Sequence, residues 1–231
     1  MKILLSWSSG KDSAWALHVL RRDGTGHVAG LLTSINEVAG RVSMHGVREE
    51  ILHAQAAAAG LPVHVIRLPW PCTNEVYEAR MAEAVTAAVA DGYTHVAFGD
   101  LFLEDVRAYR ESRLAGTGLT PIFPLWGMPT ARLAREMIAG GLRAKIATLN
   151  PAILSREFSG ADFDAALLAR LPAAVDPCGE RGEFHTCVMA GPMFSVPLSL
   201  TCGEVVEREG FVNRDLRLPA RPAAPATSAE S

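Results

Sequence analysis

The chain is short of cysteine, of net charge and of long apolar runs, and each shortage excludes a class of protein. Its four cysteines, Cys72, Cys178, Cys187 and Cys202, are spread over 231 residues without a Cys-x-x-Cys pair. That usage fits a reducing compartment and argues against a disulfide scaffold. With 22 Lys and Arg against 25 Asp and Glu, the formal charge is -3. A sequence-independent nucleic-acid binder needs a basic surface that this balance does not supply. No apolar run approaches the roughly 20 residues that span a bilayer. Met1–Leu5 begins as a signal peptide would, but Ser8, Ser9, Gly10, Lys11 and Asp12 follow before an apolar region of about 7–15 residues can form. The expectation is a cytoplasmic protein with no membrane partner and no nucleic-acid partner.

What is plentiful is core-forming side chain. The sequence is 49% hydrophobic, enough for one large domain or two small ones. Strands are expected at Ile3–Trp7, Val28–Thr33, Val63–Leu68, His95–Phe98, Ile122–Phe123 and Ala144–Thr148. Between them Val47, Ile51, Ala54 and Ala58 recur at helical spacing, as do Val76, Ala79, Ala82 and Val89. Short strands that do not alternate in polarity are buried on both faces, as in a parallel sheet under helices. The pattern predicts an α/β fold with a doubly wound, mainly parallel sheet.

After Asn150 the repetition weakens. Asp162–Leu171 reads as a helix stopped by Pro172, and Asp176–Thr186 as a polar stretch too irregular for a regular element. Val196–Leu200 and Glu204–Glu207 read as strands, with Gly203 near the turn between them. The expected division is residues 1–124 as an ATP-binding-type α/β domain and 125–219 as a smaller C-terminal α+β subdomain. Residues 220–231, rich in Pro, Ala and Ser, are expected to form a disordered tail. No internal repeat is evident.

The strongest local signal is Ser8-Ser9-Gly10-Lys11-Asp12-Ser13, between a buried strand and a helix carrying Ala14, Leu17 and Leu20 on one face. A compact Ser/Gly turn at a helix N-terminus aims several backbone N–H groups and the positive dipole end at one spot, which suits phosphate. Ser8, Ser9 and Ser13 add hydroxyls, and Lys11 adds a mobile positive charge. The plain alternative is a turn capped by Ser9 or Asp12. The spacing is not the Gly-x-x-x-x-Gly-Lys of a Walker loop, and the lack of Gly-x-Gly-x-x-Gly disfavours a dinucleotide fold. The hexapeptide resembles the PP-loop of N-type ATP pyrophosphatases, usually Ser-Gly-Gly-x-Asp-Ser, with Ser9 in place of the first glycine. The resemblance implies that Ser8, Ser9, Gly10, Lys11, Asp12 and Ser13 hold the phosphates of ATP.

In a doubly wound sheet, ligands lie outside the carboxyl ends of the strands. That rule selects Thr33-Ser34, Pro69–Cys72, Gly99-Asp100 and Pro124. Asp100 suits Mg²⁺ beside a phosphate site, or alternatively the N-cap of a helix over Leu101–Arg113. Ser43-Met44-His45-Gly46 is a candidate wall of an adenine pocket, or simply the start of the next helix. Glu104, Arg107, Arg110 and Glu111 pair at helical spacing, either as a solvated face or with Arg107 or Arg110 meeting an acidic ligand. Asp176–Thr186 gathers Glu180, Gly182, Glu183, His185 and Thr186, which can move protons or form a polar surface loop. Cys178, His185 and Cys187 do not have the spacing of a structural zinc site, and no resident metal is expected there.

Cys178-Gly-Glu-x-Gly-Glu-Phe-His-Thr resembles the signature of the diphthine–ammonia ligase family, also called diphthamide synthetase. Phe98-Gly-Asp-Leu-Phe-Leu-Glu-Asp, Pro124-Leu-Trp126 and Ser43-Met-His-Gly-Val-Arg48 are similar to the pattern of that group. The resemblance implies an adenine nucleotide alpha hydrolase-like, Rossmann-like fold and an AMP-forming amide ligase. Its substrates would be ATP with Mg²⁺, ammonia and a carboxylate acceptor, diphthine on translation elongation factor 2 or a related group. It implies catalytic roles among Lys11, Asp100, Glu180, Glu183 and His185. The ATP side would include Thr33, Met44, Gly99 and Asp100, and the acceptor side Glu180, Gly182, Glu183, His185 and Thr186.

Three readings stand beside it. One is a non-catalytic ATP or AMP sensor, and another is an enzyme of the same loop class acting on a small metabolite or nucleobase. The third is sulfur transfer through Cys178 or Cys187. Pro69-Trp70-Pro71 and Trp126 are candidates for a homodimer interface or for packing the subdomain junction.

Overall fold

The structure, a computed structural model, describes residues 1–219; the expected tail at 220–231 lies outside the described residues. The sheet is built around β1 (Lys2–Ser6), whose Ile3, Leu4 and Leu5 are each at most 1% exposed. It pairs in parallel with β2 (His27–Asn36) on one side and β5 (His95–Ala97) on the other. Beyond these, β4 (Val63–Leu68) joins β2 and β6 (Thr120–Ile122) joins β5, also in parallel. The two-residue β3 (Arg41–Val42) pairs antiparallel with Ile35 and Asn36 of β2.

Helices cover both faces. Ile3 and Leu5 belong to one core cluster and Leu4 to another, the alternation a strand must show when both faces are buried. The first cluster packs α1 (Lys11–Asp23), α2 (Glu49–Ala59) and α5 (Thr130–Ala139). The second packs α3 (Asn74–Ala90) and the end of α4 (Glu104–Leu114). This is the expected α/β fold with a doubly wound, mainly parallel sheet.

A second sheet follows, formed by β7 (Arg143–Leu149), β8 (Phe184–Ala190), β9 (Thr201–Arg208) and β10 (Phe211–Arg217) in the order β8-β7-β10-β9. All its pairings are antiparallel. The short α6 (Ala165–Arg170) lies between β7 and β8 in the chain. Ala144, Ile146, Leu149, Val188 and Val212 share one apolar cluster with Leu5, Leu17 and Ile51. The small sheet is therefore packed onto the α1 and α2 side of the large one.

Several local expectations need correction. On α3 the stripe Val76, Ala79, Ala82 and Val89 faces outward, with Val76 37% and Val89 38% exposed. Tyr77, Met81, Ala84 and Val85 take the inner face instead. In an alanine-rich helix two apolar stripes can be drawn, and the bulkier side chains win the core because they bury more area. Val196–Leu200 is not a strand, and Gly203 lies inside β9. The turn of that hairpin is Glu209-Gly210, where both residues have positive φ. The segment from Asp176 is irregular only as far as Glu183, because β8 starts at Phe184. The sequence reading did not separate out β10. Trp126 packs against Phe123 at 5.9 Å between ring centroids, and Trp70 is 52% exposed.

Candidate functional site

The turn after β1 is held largely by its own side chains. Ser8 Oγ accepts from the Gly10 N–H at 3.3 Å and lies 3.2 Å from Ser13 Oγ, which donates to the Gly10 carbonyl at 3.1 Å. The N-cap of α1 is Gly10, with no side-chain capping bond, so neither Ser9 nor Asp12 caps the helix. Gly10 is required by close approach: a Cβ there would sit 2.6 Å from His45 Cε1. Gly99 is required in the same way, since its Cβ would sit 2.9 Å from the main chain of Asp12 and Ser13. Ser9, where the resembling loops have glycine, adopts φ 68°. Its hydroxyl is buried and has no hydrogen-bond partner among the described residues.

Lys11 is not the mobile cation expected of it. The residue is 2% exposed, and its ammonium donates to Asp12 Oδ2 at 2.7 Å and to the main-chain carbonyl of Cys178. Phe163 and Phe184 lie under it, at 5.6 and 5.7 Å from ring centroid to ammonium. Burial on its own would lower the Lys11 pKa, but the acidic groups around the amine, Asp12 first and then Cys178 and Glu180, together hold it above its ordinary value. The main-chain N–H of Lys11 donates to Thr186 Oγ1 at 3.0 Å.

The acidic segment that clamps this turn is itself braced by carboxylates. Asp176 Oδ2 accepts from the N–H groups of Cys178 and Glu180, at 3.1 and 3.0 Å. Glu183 accepts from the N–H groups of Asp176 and Arg181, at 3.0 and 2.9 Å, and is 2% exposed. Gly179 and Gly182 supply positive φ, 69° and 83°, which the tight turns need. Glu183 thus holds the loop together from inside. Glu180 is different: its Oε1 accepts from the Leu101 N–H at 2.7 Å. Burial pushes its pKa up to about 7 despite that hydrogen bond, and the nearby Asp12 and Asp100 charges add to the rise.

Asp100 does not cap a helix, because α4 starts after Leu103. It pairs with Arg110 at 2.5 and 3.0 Å, and the Arg110 guanidinium lies 4.3 Å from the Phe98 ring centroid. Asp12 and Asp100 are therefore both engaged by cations of the chain itself. No group of three or more His, Cys, Asp and Glu able to hold a metal gathers among the described residues. The donor set does not fit a resident Mg²⁺. Burial raises the pKa of the Cys178 and Cys187 thiols, Cys187 to about 12, away from the thiolate that sulfur transfer uses.

A cleft of about 720 Å³ opens at the carboxyl ends of β1, β2 and β4, where open α/β sheets bind ligands. One wall is apolar, with Leu32, Ile66, Leu68, Tyr77 and Met81. The other is polar, with Ser43, His45, Thr148, His185 and Asn213. Of the expected site residues, Ser8, Thr33, Met44 and His185 line it. Lys11, Asp12, Gly99, Asp100, Glu180, Gly182, Glu183 and Thr186 lie outside its wall. The Thr33 hydroxyl is buried without a partner. Met44 is 78% exposed with φ 62°. Ser43 and Gly46 do not start a helix, since α2 is preceded by Arg48.

Two residues that hold this arrangement escaped the sequence reading. Gln55 is fully buried on α2. It accepts from Trp7 Nε1 at 3.1 Å and donates to the carbonyls of Ser9 and Val188, at 3.1 and 2.8 Å. A lone glutamine on the apolar face of Ile51, Leu52, Ala56 and Ala59 was its one signal. Asp215 on β10 binds Arg41 at 2.7 Å, Arg48 at 2.8 Å and Arg217 at 2.6 Å. The Arg48 hydrogen bond, with those of the other two, holds its carboxyl far below the usual range. Arg41 and Arg48 belong to the large-sheet side, so this network ties the two sheets along the cleft.

Fold and cleft together define the class, an α/β protein with a ligand cleft at the carboxyl edge of a doubly wound sheet. Residues 1–119 match the family described as diphthamide synthase N-terminal domain, and the chain belongs to that family. Among curated proteins, the diphthine–ammonia ligase of Schizosaccharomyces pombe is 24% identical over 227 residues. The match covers 90% of this chain and 37% of that protein, so the chain spans little more than a third of that relative's length. Among the described residues no helix is long and apolar enough to cross a membrane.

Proposed function

We propose that the protein is a cytoplasmic ATP-dependent ligase that adenylates a carboxylate and transfers the acyl group to ammonia, releasing AMP and pyrophosphate. The observation that carries the reading is the meeting of its two signature segments. The N–H of Lys11, at the start of α1, is tied to Thr186, and the ammonium of the same residue is tied to Cys178. A helix N-terminus flanked by Ser8, Ser9, Gly10, Asp12 and Ser13 suits the triphosphate of a PP-loop enzyme. Lys11 contributes a fixed buried charge and the position of the loop. Thr33 and Met44 belong to the nucleoside side of the cleft, and Gly99-Asp100 lie outside its wall, Gly99 against the turn proposed for the phosphates.

Mg²⁺ enters as part of the nucleotide substrate, because an ion of this kind is usually held by phosphates with one or two carboxylates and water. On the acceptor side, Glu180 is the group whose proton is free to move near neutral pH. Gly182, Glu183 and Thr186 hold the segment in shape, and His185 faces the cleft. The acceptor is diphthine or another carboxylate of similar size, bound where residues 125–219 meet residues 1–124.

The test is product analysis of α-labelled ATP with Mg²⁺, ammonium and a panel of carboxylates that includes diphthine-bearing elongation factor 2. AMP formation that depends on both ammonium and one acceptor is expected. ADP as product overturns the reading, and saturable ATP binding without turnover on any acceptor replaces it with a nucleotide sensor.

A further inference from the structure

The polar wall of the cleft contains a histidine to which the ligase reading gives no chemical step. His45 lies in the short segment between β3 and α2, and its main chain is pinned at several points. Ser43 N–H donates to the Ser34 carbonyl at 3.0 Å, and Gly46 N–H to the Val42 carbonyl at 3.0 Å. Thr148 Oγ1 donates to the His45 carbonyl at 3.0 Å, and Arg41 to the Gly46 carbonyl at 2.7 Å. Met44, immediately before it, is held at φ 62°, a conformation that persists in a non-glycine residue only where the surroundings impose it.

The ring is oriented as firmly as the main chain. Nδ1 lies 3.2 Å from the Thr186 carbonyl. A carbonyl can only accept, so Nδ1 carries the proton and Nε2 carries the lone pair. No described residue forms a hydrogen bond with Nε2. The ring packs against His185 at 4.6 Å between centroids, tilted by 40°, and its Cε1 edge lies against Gly10 of the turn. Burial, the neighbouring His185 and the Lys11 charge hold its pKa well below the ordinary value, so the ring is neutral at neutral pH. The charged and titratable groups facing it are therefore His185 and Lys11, with no carboxylate among them.

We infer that His45 Nε2 accepts the proton of the attacking nitrogen when ammonia displaces AMP, a role that rests on the ligase reading. The nitrogen lone pair adds to the acyl carbon and a C–N bond forms. The C–O bond to AMP then breaks, and AMP leaves with the electron pair. The nitrogen, cationic after addition, passes one proton to Nε2, and the imidazolium returns it to solvent. The Nδ1–H to Thr186 contact holds the ring through the transfer, and it links the base to the segment that also clamps the turn.

The experiment compares wild type and His45→Gln with MgATP and diphthine-bearing elongation factor 2, using ammonia and then hydroxylamine as nucleophile. Hydroxylamine is the less basic amine, and its nitrogen gives up the proton to water without help. With ammonia, His45→Gln is expected to lower amide formation about 100-fold, the usual scale of a lost general base. With hydroxylamine the loss is expected to be at least tenfold smaller. Equal loss with both nucleophiles, as misfolding would also produce, or no loss with either, overturns the role. If the variant does not fold, the solvent isotope effect on the wild type decides. Amide formation is expected to slow more in D2O with ammonia than with hydroxylamine, and equal slowing with both overturns the role. Acceptor-dependent exchange of labelled pyrophosphate into ATP in the wild-type protein tests the ligase reading separately, since adenylation precedes any nucleophile. Its absence there removes both.

Discussion

The ammonium of Lys11 donates to the main-chain carbonyl of Cys178, 167 residues further along the chain. That one contact joins the turn after the first strand to the glycine-rich acidic segment ahead of β8. It also turns a residue expected to reach for phosphate into a buried part of the framework. The consequence is testable through stability as well as through activity.

Lys11→Met should cost about 1–3 kcal/mol, because the Asp12 carboxylate, 24% exposed, loses its cation and the Cys178 carbonyl loses its donor. Urea unfolding monitored by circular dichroism measures it. Lys11→Met combined with Asp12→Asn should recover part of the loss, since no charge is then left unpaired. A single variant as stable as wild type but unable to bind ATP would show that the amine serves the phosphates instead.

Ser9→Gly should stabilise the protein by about 1 kcal/mol. It relieves a left-handed conformation that costs a side-chain-bearing residue about 1–2 kcal/mol and removes an unpartnered hydroxyl. The greater freedom of glycine in the unfolded chain offsets part of this gain. Thermal unfolding should show a rise of about 2–4 °C, and a fall would mean that the hydroxyl has a partner.

Gln55→Leu keeps the side-chain volume while removing the hydrogen bonds to Trp7, Ser9 and Val188. The buried Trp7 N–H is left with no partner, so the expected loss is about 2–4 kcal/mol. Amide hydrogen exchange should locate the effect. The Val188 N–H, bonded to the Ser9 carbonyl at 3.0 Å, should exchange faster by a larger factor than amides of β2.

Glu180 carries a pH dependence whose sign follows from its raised pKa, about 7 against an ordinary 4.5. Between those values the folded protein binds more protons than the unfolded chain, so stability falls as pH rises through the window. Glu180→Gln should flatten that slope and leave the variant more stable than wild type at pH 8, by roughly 1–2 kcal/mol after discounting for solvent screening. Denaturation midpoints of both proteins from pH 5 to pH 8 provide the check. Parallel curves would place the Glu180 carboxyl in water.

Much of the fold was legible along the chain. The runs at Ile3–Trp7 and Val63–Leu68 read as strands because a strand buried on both faces has no polar period to hide it. The Ser8–Ser13 turn was legible because the residues that build it are adjacent in sequence. The inner face of α3 was not, since Val76 and Met81 are both apolar and only packing chooses between them. β10 was missed because Asn213, Arg214 and Asp215 make its sequence look like a surface loop. Asn213 and Asp215 line the cleft, and Asp215 binds Arg41 and Arg48, while Arg214 donates to the carbonyls of Gly203 and Ser159.

By itself, then, the sequence determined the layered α/β architecture, the turn at the head of α1 and the chemistry suggested by the 178–186 segment. All of these rest on local periodicity or short motifs. Only the tertiary structure decided that Lys11 and Glu183 point inward, and that Gln55 and Asp215 bind the two sheets. It likewise left Glu183 out of the cleft wall and oriented the His45 ring through Thr186. Each of those outcomes depends on contacts between residues far apart in the chain, where burial and hydrogen-bond geometry set the role of a side chain more than its type does.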